Sequence, residues 1–225
     1  MPSPQADQEG IALDMVYPAE KPVFTRVPLH RAQRWAAEGE DPNSDVVKVF
    51  VTQRSYRLLW EHARSDMERE VGGWLVGRWC WDKDQFEEFV VVEAVLPASQ
   101  VKHSSTYLTF TQESQLAMLS QLETRYPEKG IVGWYHTHPR MGLFLSGYDL
   151  WLHDNFFSQP WQVALVMDPH RASGGFFIRN RDHELDPGRY SGFYELRRGK
   201  AQSVVRWANL RLEESENSVE KEVKP

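Results

Sequence analysis

The sequence predicts an α/β (α+β) fold in which helices flank a mixed, largely antiparallel central sheet within a single domain. Short runs of β-branched and aromatic residues, which are typical of buried strands, alternate with segments whose apolar residues recur at helical spacing. Strands and helices in this order predict a sheet covered by helices. A chain of 225 residues, 41% of them hydrophobic, is long and apolar enough to bury a substantial core.

The first core elements are predicted between residues 46 and 96. Residues 46–52 alternate as a half-buried strand does, and residues 53–66 follow as a helix whose apolar stripe comprises Tyr56, Leu59, Trp60 and Ala63. Strands are predicted at residues 70–81 and 88–96. Because only a short polar stretch separates these two strands, we expect them to pair antiparallel.

The second half of the core contains a further helix pair and four strands. Residues 97–106 are polar and predict a loop or insertion, and residues 107–110 predict a short strand. A helix is expected from Thr111 to just before Pro127, which ends it. Three further strands are predicted at residues 131–135, 161–167 and 174–178. A second helix is predicted at residues 146–158 and would pack on the sheet.

The two ends of the chain are predicted to extend a core domain of residues 46–180. Residues 1–45 form an N-terminal extension in this division, with a loop from Ala36 to Ser44. Residues 181–212 are expected to pack on the domain, and the final part of this stretch fits a helix or a strand nearly equally well. Residues 213–225 are rich in acidic residues and predict a disordered tail.

Composition and charge exclude several classes of protein. With 26 Lys and Arg against 32 Asp and Glu, the chain has a formal net charge of −6, which argues against a general nucleic-acid binder. The single cysteine, Cys80, rules out an internal disulfide framework and fits a reducing compartment. The first residues lack the basic start and apolar core of a signal peptide, and no apolar run approaches the roughly 20 residues that span a membrane. We therefore expect a cytoplasmic protein with no membrane and no nucleic-acid partner.

The most informative stretch begins at the end of the predicted strand at residues 131–135. His136 and His138 extend that strand, and both imidazoles leave the same face because side chains alternate between the two faces of a strand. Ser146 and Asp149 lie three residues apart at the start of the next helix and share one side of its first turn. Two imidazoles and one carboxylate, with a fourth position left open, make a catalytic zinc site.

Each half of this pattern also has a simpler interpretation. An isolated His-x-His is more often a pair of unrelated histidines than a metal site. Ser146 and Asp149 match a capping box, in which the serine accepts a backbone N–H bond and the acid lies near the positive end of the helix. The cap and the metal site are compatible, because a cap can fix the direction of the carboxylate. His153, four residues beyond Asp149, is more readily a surface or core histidine than a support for a metal ligand.

A second motif upstream gives the pattern its specificity. Residues 70–77 read Glu-Val-Gly-Gly-Trp-Leu-Val-Gly, and residues 133–139 read Gly-Trp-Tyr-His-Thr-His-Pro, six residues before Ser146-Gly-Tyr-Asp149. Together these motifs resemble the signature of the JAMM (MPN-plus) metalloproteases, the JAB-domain zinc deubiquitinases and related isopeptidases of the proteasome lid, the signalosome and the AMSH group. The resemblance covers about residues 47–178 and fills every position of the signature.

The resemblance implies a fold, a cofactor and a set of residue roles. The fold would be that of the MPN/JAB domain, which is cytidine-deaminase-like. One catalytic zinc ion (Zn²⁺) would be bound by His136, His138 and Asp149, with Glu70 as the general base and Ser146 supporting the transition state. The bond cleaved would be the isopeptide or peptide bond after the C-terminal tail of ubiquitin or a ubiquitin-like protein.

The sequence leaves alternatives for the substrate. Residues 97–106 and 169–175 correspond to places where the family carries substrate-facing insertions, and both are short here, without the Cys/His cluster of the second zinc site of the AMSH group. A peptidase that processes a ubiquitin-like or sulfur-carrier precursor is therefore one alternative, and a catalytically silent, zinc-bearing scaffold is another. An activating partner or a homodimer is compatible with the sequence.

Two other residues are weaker candidates for catalysis. Cys80 lies between two tryptophans in a predicted strand and is expected to be a buried, unreactive thiol. Glu68 competes with Glu70 for the role of base, but it is expected in a turn before the strand. The nucleotide deaminases pair an H-x-E motif with a later P-C-x-x-C motif, which a chain with one cysteine cannot supply.

Overall fold

The computed structural model describes residues 21–40, 46–98, 101–103, 108–199 and 201–213. The helices are α1 (Gln53–Ala63), α2 (Gln112–Arg125) and α3 (Gly147–Phe156), and a short 3-10 turn occupies Leu29–Arg31. The strands are β1 (Val23–Phe24), β2 (Ala32–Ala37), β3 (Lys48–Thr52), β4 (Gly72–Asp82), β5 (Glu87–Pro97), β6 (Val101–His103), β7 (Leu108–Phe110), β8 (Gly130–Thr137), β9 (Val163–Asp168), β10 (Ser173–Phe177), β11 (Phe193–Leu196) and β12 (Leu210–Leu212).

Ten of the strands form one mixed sheet. Its order is β10-β9-β8-β4-β5-β3-β11-β2-β12, and β1 pairs with the far end of β4. Among the described strands, five of the nine pairs in this sheet are antiparallel and four are parallel. The predicted antiparallel pairing of β4 with β5 is confirmed, as is the predicted class of a mixed sheet with flanking helices. Strands β6 and β7 form a separate two-stranded sheet.

The helices cover the two faces of this sheet. On one face, α1 packs through Tyr56, Leu59 and Ala63 into a cluster of buried strand residues that includes Val132 of β8. On the other face, α2 and α3 pack against the buried Trp134 of β8. Both faces of β8 are therefore covered, which explains why its sequence reads as a continuous apolar run.

Each helix begins at a residue whose side chain satisfies a backbone N–H group of the first turn. Thr52 accepts a bond of 3.2 Å from the N–H of Ser55 at the start of α1. Thr111, where the sequence predicted that α2 begins, accepts one of 3.1 Å from the N–H of Ser114. These hydroxyl caps supply acceptors for N–H groups that the helix itself leaves unbonded.

The structure differs from the predictions made from the sequence at three places outside the motifs. The loop expected from Ala36 is wrong for Ala36 and Ala37, which end strand β2 in the main sheet. The loop expected at residues 97–106 is wrong for Val101–His103, which form strand β6 opposite β7. Residues 201–212, for which a helix or a strand was expected, contain no helix in the described chain and form only the short strand β12 at their end.

Some predictions fall on other parts of the chain. Residues 1–20 of the expected N-terminal extension and all but Glu213 of the expected acidic tail lie outside the described residues. Within the described ranges, no helix combines the length and apolar character that crossing a bilayer requires.

Candidate metal centre

The two histidines of the motif lie at the end of β8, in the middle of the sheet. His136 pairs with Gly72 of β4 on one side and with Val166 of β9 on the other. The N–H of His138 donates to the carbonyl of Met167 at 2.8 Å, which prolongs the pairing with β9 by one residue. Neighbouring strands on both sides therefore fix the backbone from which the two imidazoles project.

Three side chains bring their ligand atoms together at this point. The Nε2 atoms of His136 and His138 are 2.9 Å apart. Asp149 Oδ1 lies 3.4 Å from the Nε2 of His136, and its Oδ2 lies 3.8 Å from the Nε2 of His138. All three side chains are buried, and their ligand atoms lie within 4.8 Å of one another.

The capping box expected at the start of α3 is present and directs the carboxylate of Asp149. Ser146 Oγ accepts the N–H of Asp149 at 3.2 Å, and Asp149 Oδ2 accepts the N–H of Ser146 at 2.7 Å. The capping box is therefore confirmed, and it is compatible with a role of Asp149 as a metal ligand, which stays a prediction. One carboxylate oxygen caps the helix, while the other faces His136.

The donor set fits a zinc ion. A tetrahedral zinc with His and Asp ligands at about 2.0–2.1 Å places its ligand atoms roughly 3.3 Å apart. The observed separations of 2.9, 3.4 and 3.8 Å bracket that value. The Nδ1 atoms of His136 and His138 are buried and form no hydrogen bond of good geometry among the described residues, while a backbone group of Gly142 lies near the His138 ring.

Glu70 lies at the edge of this cluster. Its Oε1 is 3.9 Å from the Nε2 of His138, and its side chain is 17% exposed. The neighbouring Val71 ties it in place: the carbonyl of Val71 accepts the N–H of Thr137 and its N–H donates to Thr137 Oγ1, each at 2.9 Å. Thr137 lies between the two histidines, so Glu70 is held in register with both of them.

Burial and neighbouring charges shift the titration of these groups. Burial, together with the adjacent His136, lowers the pKa of His138 to about 3, so this imidazole is neutral at neutral pH. Burial acts to raise the pKa of Asp149, but His136 and the hydrogen bonds from Ser146 outweigh it and hold that pKa below its usual range. Burial raises the pKa of Glu70, an effect opposed by His136 and reinforced by Asp149. A neutral imidazole and an ionised carboxylate are the forms that bind metal.

The weaker candidates fall outside this cluster. Glu68 is exposed and pairs with Arg140 at 2.9 Å. Cys80 is buried in β4, as expected, and burial raises the pKa of its thiol to about 11. His153 is fully buried, which confirms the core histidine among its expected roles, and its Nδ1 accepts a 3.0 Å bond from the indole of Trp134.

Sequence reasoning missed two residues that frame the cluster. The ring of Trp134 stacks on His136 with 4.7 Å between ring centroids and an interplanar angle of 8°. Asp168, buried at the end of β9, accepts backbone N–H groups of the loop that follows His138. A signal for Asp168 was present, because a charged residue directly follows the apolar strand and precedes Pro169.

Comparison with known proteins identifies the family. A family model described as JAB1/Mov34/MPN/PAD-1 ubiquitin protease matches residues 44–159. COP9 signalosome complex subunit 5 of Eremothecium gossypii is 34% identical over 175 residues, covering 74% of this chain and 39% of that protein. 26S proteasome non-ATPase regulatory subunit 14 of Drosophila melanogaster is 31% identical over 151 residues, covering 62% and 44%. Ubiquitin carboxyl-terminal hydrolase RPN11 of Saccharomyces cerevisiae is 25% identical over 154 residues, covering 68% and 48%.

These matches confirm the resemblance drawn from the motifs. The family model spans just over half of the 225 residues and contains all five candidate site residues. The matched region makes up less than half the length of each of the three relatives. The chain belongs to the JAB1/Mov34/MPN/PAD-1 family.

Proposed function

We propose that this protein is a zinc-dependent isopeptidase or peptidase that hydrolyses the bond after the C-terminal tail of ubiquitin or a ubiquitin-like protein. The observation that carries the proposal is the convergence of His136, His138 and Asp149 ligand atoms within 4.8 Å, with the Glu70 carboxylate 3.9 Å from His138. A capped helix alone would explain Ser146 and Asp149, but it does not require two buried imidazoles facing the same carboxylate.

The chain's own residues divide the work of amide hydrolysis in this proposal. His136, His138 and Asp149 would hold a zinc ion, which would supply an acidified water and polarise the scissile carbonyl. Glu70 takes a proton from the attacking water and later delivers it to the leaving amine. Ser146 Oγ accepts the N–H of Asp149 and lies beside the Asp149 carboxylate, and in this proposal its hydroxyl turns to donate to the developing oxyanion. Loss of one such donor lowers the rate by about 10²–10³ in other hydrolases.

The substrate class is supported by the family and by the shape of one segment. The relatives are named as subunits of the COP9 signalosome and the 26S proteasome and as a ubiquitin carboxyl-terminal hydrolase. The β6–β7 pair, outside the main sheet, offers a strand edge to which an extended tail could add. We include in the proposal a cytoplasmic location and action with an activating partner or as a homodimer.

Replacement of the proposed base tests the mechanism. The full-length protein with one equivalent of zinc should cleave lysine-linked diubiquitin or a linear ubiquitin fusion, and Glu70→Gln should lose at least about 10²-fold in turnover because the proton acceptor is gone. Zinc content, measured by mass spectrometry, should be unchanged. Glu123→Gln, which removes an exposed carboxylate on α2, serves as the matched control. Equal turnover by the wild type and Glu70→Gln would remove Glu70 from the mechanism.

The choice of probe separates the remaining functions. Preference for the lysine-linked substrate supports deconjugation, whereas preference for the linear fusion supports precursor processing. Both probes should be repeated with ubiquitin-like proteins in place of ubiquitin. Stoichiometric zinc without cleavage of any of these probes would favour the scaffold alternative.

A further inference from the structure

The carboxylate of Asp168 accepts hydrogen bonds from backbone N–H groups of two different loops. Its Oδ1 accepts the N–H groups of Arg140 at 3.2 Å, His170 at 3.0 Å and Arg171 at 3.3 Å, and its Oδ2 accepts the N–H of Gly142 at 3.2 Å. Asp168 is fully buried, and the guanidinium of Arg171 lies 3.7 Å from Oδ2. A buried carboxylate that accepts this many backbone bonds holds its donors firmly.

Two of the four backbone N–H groups that bond to Asp168 do not belong to the turn that Asp168 begins. An aspartate at the start of a turn commonly accepts the N–H groups two and three residues later, which explains His170 and Arg171. The bonds from Arg140 and Gly142 come instead from the loop between β8 and α3. Both residues have left-handed backbone conformations, with φ of 66° and 88°, which turn their N–H groups inward to Asp168. Arg140 adopts a conformation that L-residues avoid, so some contact must hold it there.

The side chains of the same two loops reach the segment that carries Glu70. Arg140 Nη1 donates to Glu68 Oε2 at 2.9 Å. His170 Nε2 lies 2.7 Å from the carbonyl of Met67, to which it donates because a carbonyl can only accept. Asp168 therefore fixes the backbones of Arg140 and His170, whose side chains contact Glu68 and Met67 in the segment that leads to Glu70.

We propose that Asp168 is a positioning residue that sets the loop after His138, and through it the Glu70 segment, at the right distance for the metal centre. This inference rests on the proposed metal centre. The loop it holds runs from the ligand His138 to the cap Ser146, so slack in that loop would move both histidine and carboxylate ligands. Groups that orient metal ligands from outside typically change metal affinity by about 10–100-fold when they are mutated.

A matched pair of variants tests the proposal. In Asp168→Asn, an amide NH₂ replaces one acceptor oxygen and meets a backbone N–H donor, so part of the loop is released. Asp82→Asn is the control. Asp82 is also buried and accepts three backbone N–H groups, from Val27, Asp84 and Gln85, but it lies at the opposite end of β4 from Gly72.

The readout is zinc affinity, measured by competition with a chromophoric chelator, beside the thermal midpoint of the metal-free protein. Asp168→Asn should weaken zinc binding about 10–100-fold. Asp82→Asn should lower the midpoint comparably while leaving zinc affinity within about threefold of the wild type. Wild-type zinc affinity in Asp168→Asn would overturn the inference and leave the proposed function standing. A wild-type protein that binds no zinc would overturn both.

Amide exchange in the wild type decides the matter if Asp168→Asn does not fold. Coupling between two sites is reciprocal, so a carboxylate that holds the metal loop must itself be held by the metal. Zinc should slow exchange of the four amides that bond Asp168 and leave the three that bond Asp82 unchanged. Equal behaviour of the two sets would overturn the inference.

Discussion

The buried His153 links the packing of α3 to His136, the proposed metal ligand on β8. Its Nδ1 accepts the indole N–H of Trp134 at 3.0 Å, and the same indole stacks on His136. Burial, with the nearby charge of Arg179, lowers the pKa of His153 to about 3. His153 is therefore neutral at neutral pH, and its role as acceptor requires the deprotonated Nδ1.

The neutral state of His153 predicts a loss of stability in weak acid. An unfolded histidine takes up a proton as pH falls below about 6.5, whereas folded His153 stays unprotonated until about pH 3. The free energy of unfolding therefore falls between these two pH values, by up to about 1.4 kcal/mol per pH unit. His153→Gln can accept from Trp134 without titrating. Urea unfolding of the metal-free variant should show about 1 kcal/mol less loss between pH 7 and 5.5 than the wild type.

The exposed His30 provides the control for this measurement. His30→Gln should lose as much stability between the two pH values as the wild type does. An unchanged pH dependence in His153→Gln would show that another group causes the acid sensitivity.

At the scale of residues, the sequence predicted what depends on chain spacing and missed what depends on packing. The period of a strand puts His136 and His138 on one face, and the geometry of a first helical turn puts Asp149 beside Ser146, although the roles of these residues stay predictions. The stack of Trp134 on His136 and the bonds to Asp168 join separate elements. Their partners are distant in sequence, so no local pattern specifies them.

At the scale of elements, the glycines of the upstream motif allow strands to approach closely. A Cβ on Gly77 would lie 1.7 Å from the carbonyl oxygen of Val91, at the irregularity between Val76 and Gly77 in the β4–β5 pairing. By contrast, a Cβ on Gly147, the first residue of α3, would meet no atom within 4 Å. The same residue type is thus required in one element and dispensable in the other.

This contrast predicts opposite effects of one substitution. Gly77→Ala should lower the free energy of unfolding by about 1–3 kcal/mol or more, because β4 and β5 must separate to admit the methyl group. Gly147→Ala should raise it by about 0.4–1 kcal/mol, because alanine has less backbone freedom to lose. Chemical denaturation measures both. A neutral Gly77→Ala would mean that the two strands do not approach as closely as described.

Helices and strands were predicted correctly where the contacts that define them are local in the sequence. Helices α1 and α2 were predicted at their starts because their caps and apolar stripes are local. Strand β2 was missed because its partners, β11 and β12, come from the other end of the chain. Its own sequence, Ala-Gln-Arg-Trp-Ala-Ala, carries little β-branched signal.

At the scale of the whole molecule, the chain after β11 completes the core. Trp207 is buried, with ring centroids 5.1 Å from Tyr56 of α1 and 5.4 Å from Phe193 of β11. Gly174 of β10 has no side chain where the indole lies. The backbone N–H of Arg206 also donates to the hydroxyl of Tyr56 at 2.7 Å. The segment around Trp207 thus joins helix α1 to strands β10 and β11, which follow that helix much later in the sequence.

Truncation of this indole should therefore be costly. Trp207→Ala should destabilise the protein by about 3–5 kcal/mol, as expected for removal of a large buried aromatic side chain. Leu212→Ala, at a half-exposed position on β12, should change stability by less than about 1 kcal/mol. Equal effects of the two substitutions, measured by urea unfolding, would contradict a core role for Trp207. The division into a core of residues 46–180 and extensions stays a prediction.

Strand β4 also separates the candidate metal centre from a position at which a fluorescent dye can be attached. Gly72 at one end pairs with His136, while Asp82 begins the hairpin whose tip exposes Phe86. Ten residue steps of about 3.3 Å place Asp82, where that hairpin begins, roughly 33 Å along the strand from Gly72. Because Cys80 is buried and its thiol pKa is raised to about 11, Phe86→Cys would create the one thiol that maleimide dyes reach readily. A fluorophore at position 86 could report substrate binding by energy transfer to a dye on the substrate, without contacting the candidate site.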